Sequence, residues 1–296
     1  MNNLLIPCNL EDNSKRAIKV GLQWAASFSL SPVFLHVISS SKRRELVKKA
    51  AGIFGINSDK SKIELLRDKV ENEILASGAI KDFKVIIEEG DPVQKICDVA
   101  DQYKPDLIIL GTRERDSLIP LKSSGTTAKL FSQIPYPILA VRDIFSESPK
   151  RIIYLCDFSS TSVKAWHWIK KLDRVFHCEV EIFHIVTSHT QLVDDDWKKA
   201  HPDYETDLLL ENAKSEALAE IQKILDANPK KDYKGVVEVS RDKHAGEFIA
   251  EKLKRDRPHL VVMGTHDHSG LKKWTLGSNA NYLLNKSDCS FLIVKT

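Results

Sequence analysis

Apolar residues along this chain come in short unbroken runs. They are separated by polar turns and by stretches in which apolar positions recur every three or four residues. In the first half the runs are Leu4–Pro7, Val33–Val37, Lys84–Glu88, Leu107–Leu110 and Ile138–Val141; in the second they are Ile152–Leu155, Val180–Ile185, Val236–Val239, Leu260–Met263 and Phe291–Val294. Unbroken runs, rather than strict alternation, are expected of strands covered by helices on both faces of a parallel sheet. The intervening stretches read as amphipathic helices: Ser14–Phe28, Ile63–Ala76 and Pro92–Gln102, then Thr161–Leu172, Asp203–Leu225 and Ala245–Lys254. "GSN" at Gly277 opens one more helical stretch.

The pattern occurs twice. "YKPDLIILGT" (Tyr103–Thr112) answers to "DRPHLVVMGT" (Asp256–Thr265), and "NLLIPCNLEDNS" answers to "RIIYLCDFSSTS". "VFLHVI" matches "VEIFHIV", "FKVIIEEGD" matches "KGVVEVSRD", and the closing "PYPILAV" matches "DCSFLIV". Agreement in the same order over the whole length indicates a duplicated unit, with domains at 1–145 and 149–296 and a short polar connector, "DIFSESPKR". Strand–helix alternation makes each unit an open, doubly wound (Rossmann-like) α/β domain with a five-stranded, mostly parallel sheet. The longer segments after the second strands, residues 40–60 and 187–202, read as connectors or as lids.

Composition narrows the function. At 296 residues the chain has room for two domains, and 42% hydrophobic with 29% charged residues is ordinary globular composition. A formal charge of +3, with basic clusters such as Lys42–Arg44 interleaved with acids, does not favour nucleic acid as a partner. Cys8, Cys97, Cys156, Cys178 and Cys289 show neither a CxxC pair nor zinc spacing, so buried thiols in a reducing compartment are expected. The first residues lack a signal-peptide layout and no run approaches a membrane span; a cytoplasmic protein without a membrane partner is expected.

In an open parallel sheet, ligands bind beyond the carboxyl ends of the strands, where the strand order reverses. Asp157, the neighbourhood of Thr187, and the turn from Gly264 and Thr265 to Ser278 would converge there in the second half. Gly277, Ser278 and Asn279 open a helix whose free N–H groups favour an anion, and the Asp157 carboxylate can accept from ribose hydroxyls. Turn and cap chemistry alone is an equally plain account of these residues. The loop is neither GxxxxGK[ST] nor GxGxxG.

Together, the opening strand with its acid, the "LHV"-like second strand, "PDLIILGT" or "PHLVVMGT" and the closing "GSNANYLLNKSDCSFLIV" resemble the universal stress protein family, in its tandem form. The resemblance implies an ATP motif, Gly-x2-Gly-x9-Gly-(Ser/Thr), with a strand-end Asp holding the nucleoside. Here Gly264 would lie under the nucleotide, Asp157 would hold the nucleoside, and Gly277, Ser278 and Asn279 would hold phosphates. Asp267 stands where the second glycine belongs; it either swings to solvent or needs a divalent ion such as Mg2+ to bridge it to phosphate. The resemblance also implies an internal pseudo-dimer of the two halves through Pro137–Val141 and Ser290–Val294, and further pairing of chains into a homo-oligomer.

In the first copy the acid position is Asn9, the second glycine is Glu114, and Gly125–Thr126 is displaced by one residue. An amide in place of the acid, and a carboxylate facing phosphate, make that copy a scaffold rather than an ATP site. His266 and His268 read as loop histidines, with no metal site expected. Lys272 and Lys273 either neutralise phosphate or decorate a surface helix. Trp274 either closes over a ligand or covers the sheet edge, and either Trp166 or Trp168 is a candidate for an interface. His36 and His184 lie in apolar strands, where packing or a structural hydrogen bond is expected. Ser14, Ser159 and Ser160 sit at helix N-cap positions. With no nucleophile elbow, HExxH or Walker lysine, no catalytic residue is assigned. The expectation is a non-enzymatic stress-response or signalling protein whose second half binds ATP or a related adenine nucleotide as a conformational or assembly regulator. The alternatives are a scaffold or small-metabolite binder and, more weakly, a slow ATP hydrolase.

Overall fold

The computed structural model describes residues 3–9, 12–39, 59–78, 82–112, 126–142, 148–187, 206–230, 232–241, 243–265 and 277–295. In the first half β1 (Asn3–Cys8), α1 (Asp12–Phe28), β2 (Ser31–Ile38), α2 (Asp59–Ala76), β3 (Lys84–Glu89), α3 (Pro92–Tyr103), β4 (Leu107–Gly111), α4 (Thr126–Gln133) and β5 (Ile138–Val141) follow one another. The second half repeats the order: β6 (Arg151–Leu155), α5 (Ser160–Phe176), β7 (Glu179–Thr187), α6 (Thr206–Asp226), β8 (Tyr233–Ser240), α7 (Ala245–Asp256), β9 (Leu260–Gly264), α8 (Ser278–Lys286) and β10 (Ser290–Val294).

Local chemistry sets the element ends. Asp91 caps α3 by accepting from the Gln94 N–H at 3.0 Å, and Pro92 begins the helix where its missing N–H costs nothing. Helices α3 and α7 both stop at a basic residue in the left-handed region, Lys104 (φ 43°) and Arg257 (φ 44°), each followed by a proline that cannot continue the helix. The next residues tie into the neighbouring strand alike: the Asp106 N–H donates to the Asn3 carbonyl and the His259 N–H to the Arg151 carbonyl, both at 2.9 Å.

The strands form one ten-stranded sheet in the order β3-β2-β1-β4-β5-β10-β9-β6-β7-β8. Each half is a doubly wound, parallel, five-stranded block. The sheet is continuous because β5 and β10 pair antiparallel, with Phe291 opposite Ala140, Leu292 opposite Leu139 and Ile293 opposite Ile138. The internal pairing of last strands implied by the resemblance is therefore present. Alternate residues of each strand feed two cores. Leu4 and Ile6 join Trp24 and Phe34 on one face, while Leu5 joins Leu35, Phe131 and Phe291 on the other. Helices on both sides explain why the runs are apolar throughout rather than alternating.

Aromatic packing crosses the seam on the α1/α5 face. Phe176 of α5 lies 5.7 Å from Trp24 and 5.7 Å from Phe28, ring centroid to centroid, and Gln23 Nε2 donates to Ser148 Oγ at 3.0 Å. The cross-seam tryptophan is thus Trp24. Trp166 instead packs within its own half, 5.6 Å from both Tyr154 and Tyr233, and Trp168 lies under Lys171 Nζ. All five cysteines are free; Cys8, Cys156 and Cys178 are buried. Among the described residues, no helix is long and apolar enough to cross a membrane.

Candidate functional site

The order 3-2-1-4-5 puts β1 beside β4, and its repeat puts β6 beside β9. Connections leave those pairs toward opposite sides, which opens a crevice at their carboxyl ends. In the second half the crevice is bounded by Cys156–Asp157 after β6, Gly264–Thr265 at the end of β9, and the first turn of α5.

Asp157 is held by that first turn. Its Oδ1 accepts from Ser162 Oγ at 2.5 Å, Ser159 Oγ at 2.6 Å and the Ser159 N–H at 3.1 Å, while its own N–H donates to Ser162 Oγ at 3.1 Å. Ser159 is also the N-cap, accepting from the Ser162 N–H at 3.2 Å. Hydroxyl and amide donors converging on one carboxylate oxygen fix its position. The first half builds the same ring with an amide: the Asn9 N–H donates to Ser14 Oγ at 3.0 Å, and Ser14 Oγ donates to Asn9 Oδ1 at 2.6 Å. Of the three expected N-caps, only Ser159 is one. Ser160 is the first residue of α5, and Ser14 is the third residue of α1, its hydroxyl turned back to the strand end. Sequence reasoning passed over Ser162, although aligning "CNLEDNS" with "CDFSSTS" places a serine five residues beyond the Asn or Asp in both copies.

The strand histidines support the same strand ends. His36 Nδ1 lies 2.9 Å from the Cys8 carbonyl, and His184 Nδ1 lies 2.7 Å from the Cys156 carbonyl. Only a protonated Nδ1 can donate there, so each ring makes the structural hydrogen bond expected of it. Phe158, directly after Asp157, packs against the His184 ring at 4.6 Å and sits in the left-handed region at φ 60°. A non-glycine residue in that region is uncommon and strained. The sequence offered no signal for Phe158.

Gly264 answers a close approach by the chain itself. A Cβ built on it would stand 2.7 Å from the Thr161 carbonyl carbon and 2.9 Å from the Ser162 nitrogen. The glycine is therefore required by the helix that carries Ser159 and Ser162, whatever lies in the crevice. Thr265 is buried, and its N–H donates to the Val294 carbonyl of β10 at 3.0 Å; Thr112 repeats this toward Val141, with N–H and Oγ at 3.0 and 2.9 Å. Thr187, half-buried at the end of β7, pairs with Ser240 of β8 and so lies one strand outward from the switch point.

Gly277 is different. It is the N-cap of α8, with ordinary φ −54° and ψ 153° and no side-chain cap, and a Cβ there would meet nothing within 4 Å among the described residues. Neither its backbone conformation nor the packing of the described residues demands a glycine at this position. Ser278 and Asn279 are exposed. The first intrahelical bond runs from the Asn281 N–H to the Gly277 carbonyl at 2.9 Å, so the preceding N–H groups of the helix lie before the ladder. Asp267, with His266, His268, Lys272, Lys273 and Trp274, lies outside the described residues, as do Glu114 and Gly125 of the first copy. Burial pushes the Cys8 and Cys178 thiols up to about 12 and Cys97 up to about 11.

Fold and crevice together define a tandem of doubly wound α/β domains in which one copy carries a carboxylate at the switch point and the other an amide. The model of the universal stress protein family matches residues 1–142 and again residues 149–295, and the chain belongs to that family. A universal stress protein from Archaeoglobus fulgidus DSM 4304 has a similar structure: 17% identity, 99% of this chain and 98% of that chain covered, TM-score 0.65. A functionally unknown protein from Pseudomonas aeruginosa PAO1 is similar at 14% identity, with 100% and 92% covered and TM-score 0.62. At such identities the likeness is one of fold. No curated protein matches the chain.

Proposed function

We propose that the second half binds an adenine nucleotide, ATP or a close relative, and that occupancy regulates the conformation or assembly of a non-enzymatic, cytoplasmic stress-response protein. The observation that carries this reading is the held carboxylate of Asp157 at the switch-point crevice, where the corresponding serine-bonded position of the first half has Asn9. Gly277 supports it, since this helix start has no side-chain capping bond, which suits a phosphate. Asp267 would then swing to solvent or reach phosphate through a bridging Mg2+, and the first half serves as scaffold.

Titration calorimetry of metal-stripped protein with ATP, with and without Mg2+, tests this. The informative variant is Asp157→Asn, which keeps the Oδ1 acceptor for Ser159 and Ser162 and removes the charge, as Asn9 does naturally. One nucleotide per chain in the parent, with affinity about tenfold weaker in the variant (about 1.4 kcal/mol), is the expected result. Unchanged affinity in the variant, or no binding at millimolar ATP, refutes the reading. The scaffold reading has one observation of its own: Asp157 and Gly264 are already engaged by the first turn of α5. It predicts the no-binding outcome.

A further inference from the structure

A basic residue follows the last strand of each half, and both are buried: Arg142, after β5, is 7% exposed and Lys295, after β10, is 5% exposed. Because β5 and β10 run antiparallel, each emerges beside the start of the other strand, where the last helix of the opposite half ends. Arg142 Nη2 donates to the Leu284 carbonyl in the last turn of α8, and its backbone N–H donates to Ser290 Oγ at 2.8 Å. Lys295 Nζ donates to the Phe131 carbonyl of α4 and, at 2.6 Å, to the Ile134 carbonyl just past it. Helix C-termini leave carbonyls without intrahelical donors and carry partial negative charge, so a cation there is stabilising. Here each cation comes from the other half, and these bonds exist only while the halves are docked. Burial pushes the Lys295 ammonium down to about 7, but the neutral amine keeps two donors for the same two carbonyls.

The same residues adjoin the crevices. Thr265 is bonded to the carbonyl of Val294, next to Lys295, and Thr112 to that of Val141, next to Arg142. Helix α8 opens at Gly277 on the candidate phosphate side and ends under Arg142, a span of roughly 13 Å at 1.5 Å per residue. We propose that Arg142 and Lys295 form a reciprocal clasp that makes the two halves one cooperative unit and, through α8, carries the state of the second crevice to the first half. The ligand arm of this proposal rests on the nucleotide reading above.

Pulsed hydrogen exchange along a urea gradient, with peptides from each half resolved by mass spectrometry, tests it in the full chain. Wild type should lose protection in both halves at one midpoint. The Arg142→Met/Lys295→Met protein should show two midpoints, separated by about 0.5 M or more, while Arg142→Lys/Lys295→Arg should keep one. Separate midpoints in wild type, a common midpoint in the Met pair, or separation in the conservative pair overturns the clasp. If the Met pair does not fold, the two single Met variants are judged by the same criterion. Millimolar ATP should raise both midpoints in wild type and only that of the second half in the Met pair. A rise confined to the second half in wild type overturns the coupling. A shift in neither half refutes nucleotide binding, and the clasp is then decided by the urea comparison alone.

Discussion

Replacing Gly264 with alanine tests whether the strand-end glycine exists for the chain's own packing. The backbone at Gly264 does not need positive φ, so no conformational strain enters; the cost is steric. The added methyl would stand 2.7 Å from the Thr161 carbonyl carbon, 2.9 Å from the Ser162 nitrogen and 2.9 Å from Thr161 Cβ. Two of these are backbone atoms in the first turn of α5, which cannot turn aside as a side-chain tip would. Either β9 or α5 must shift, and overpacking of this kind costs about 1–3 kcal/mol. If the chain unfolds as one unit, an unfolding entropy of ~0.6 kcal/mol/K converts that to a melting temperature lower by about 2–5 °C. Differential scanning calorimetry beside urea unfolding reads both quantities. Gly277→Ala is the steric control, because among the described residues nothing lies within 4 Å of its Cβ. A Gly264→Ala protein that melts with wild type would show that α5 does not press on the strand end.

Two further outcomes follow from the geometry. Gly277→Asp supplies α8 with the cap it lacks and should raise stability by about 0.5–1 kcal/mol. It should also weaken ATP binding tenfold or more, since a carboxylate then competes for the same N–H groups; calorimetry showing equal affinity would place the phosphates elsewhere. The second concerns pH. His259 Nδ1 accepts from the backbone N–H groups of Lys150 and Arg151 at 3.1 and 3.2 Å, and burial, aided by the Arg151 charge and opposed by Glu179, holds its pKa below the ordinary histidine value of 6.5. The unfolded chain therefore binds this proton more readily, so the contribution is complete above pH 6.5 and is lost as pH falls through the folded value. His259→Asn keeps an acceptor that does not titrate. Its urea midpoint should fall less than that of wild type between pH 8 and pH 5, and equal losses would sever His259 from the acid limb.

The duplication, the strand runs and the doubly wound class were legible because burial on both faces of a parallel sheet leaves a one-dimensional trace: unbroken apolar runs at helical separations. The strand-end acid and the strand histidines were legible for the same reason, since a run that stops marks the carboxyl end of a strand. Less visible were contacts whose partners are distant in sequence. Ser162 drew no reading from the sequence, yet its hydroxyl closes a ring with Asp157. Phe158 carries no pattern that announces a left-handed backbone. Gly264 at a strand end marks a close backbone approach, but that Thr161 and Ser162 are the neighbours a Cβ would meet was not legible.

The chain by itself determined where the ten strands lie, though not their bounds (β8 runs Tyr233–Ser240 where the apolar run is Val236–Val239), and that the second copy keeps an acid where the first has Asn9. These properties depend on local periodicity and side-chain type. The edge-to-edge joining through β5 and β10 was implied by the family resemblance, but only the tertiary structure decided its register, that Trp24 and Phe176 meet across the seam, and that Arg142 and Lys295 exchange helix ends. In the sequence a cation that folding will bury looks like ordinary surface charge. What makes it tolerable is a set of backbone carbonyls from the other half, and carbonyls are present at every residue, so sequence cannot mark the ones that will be used.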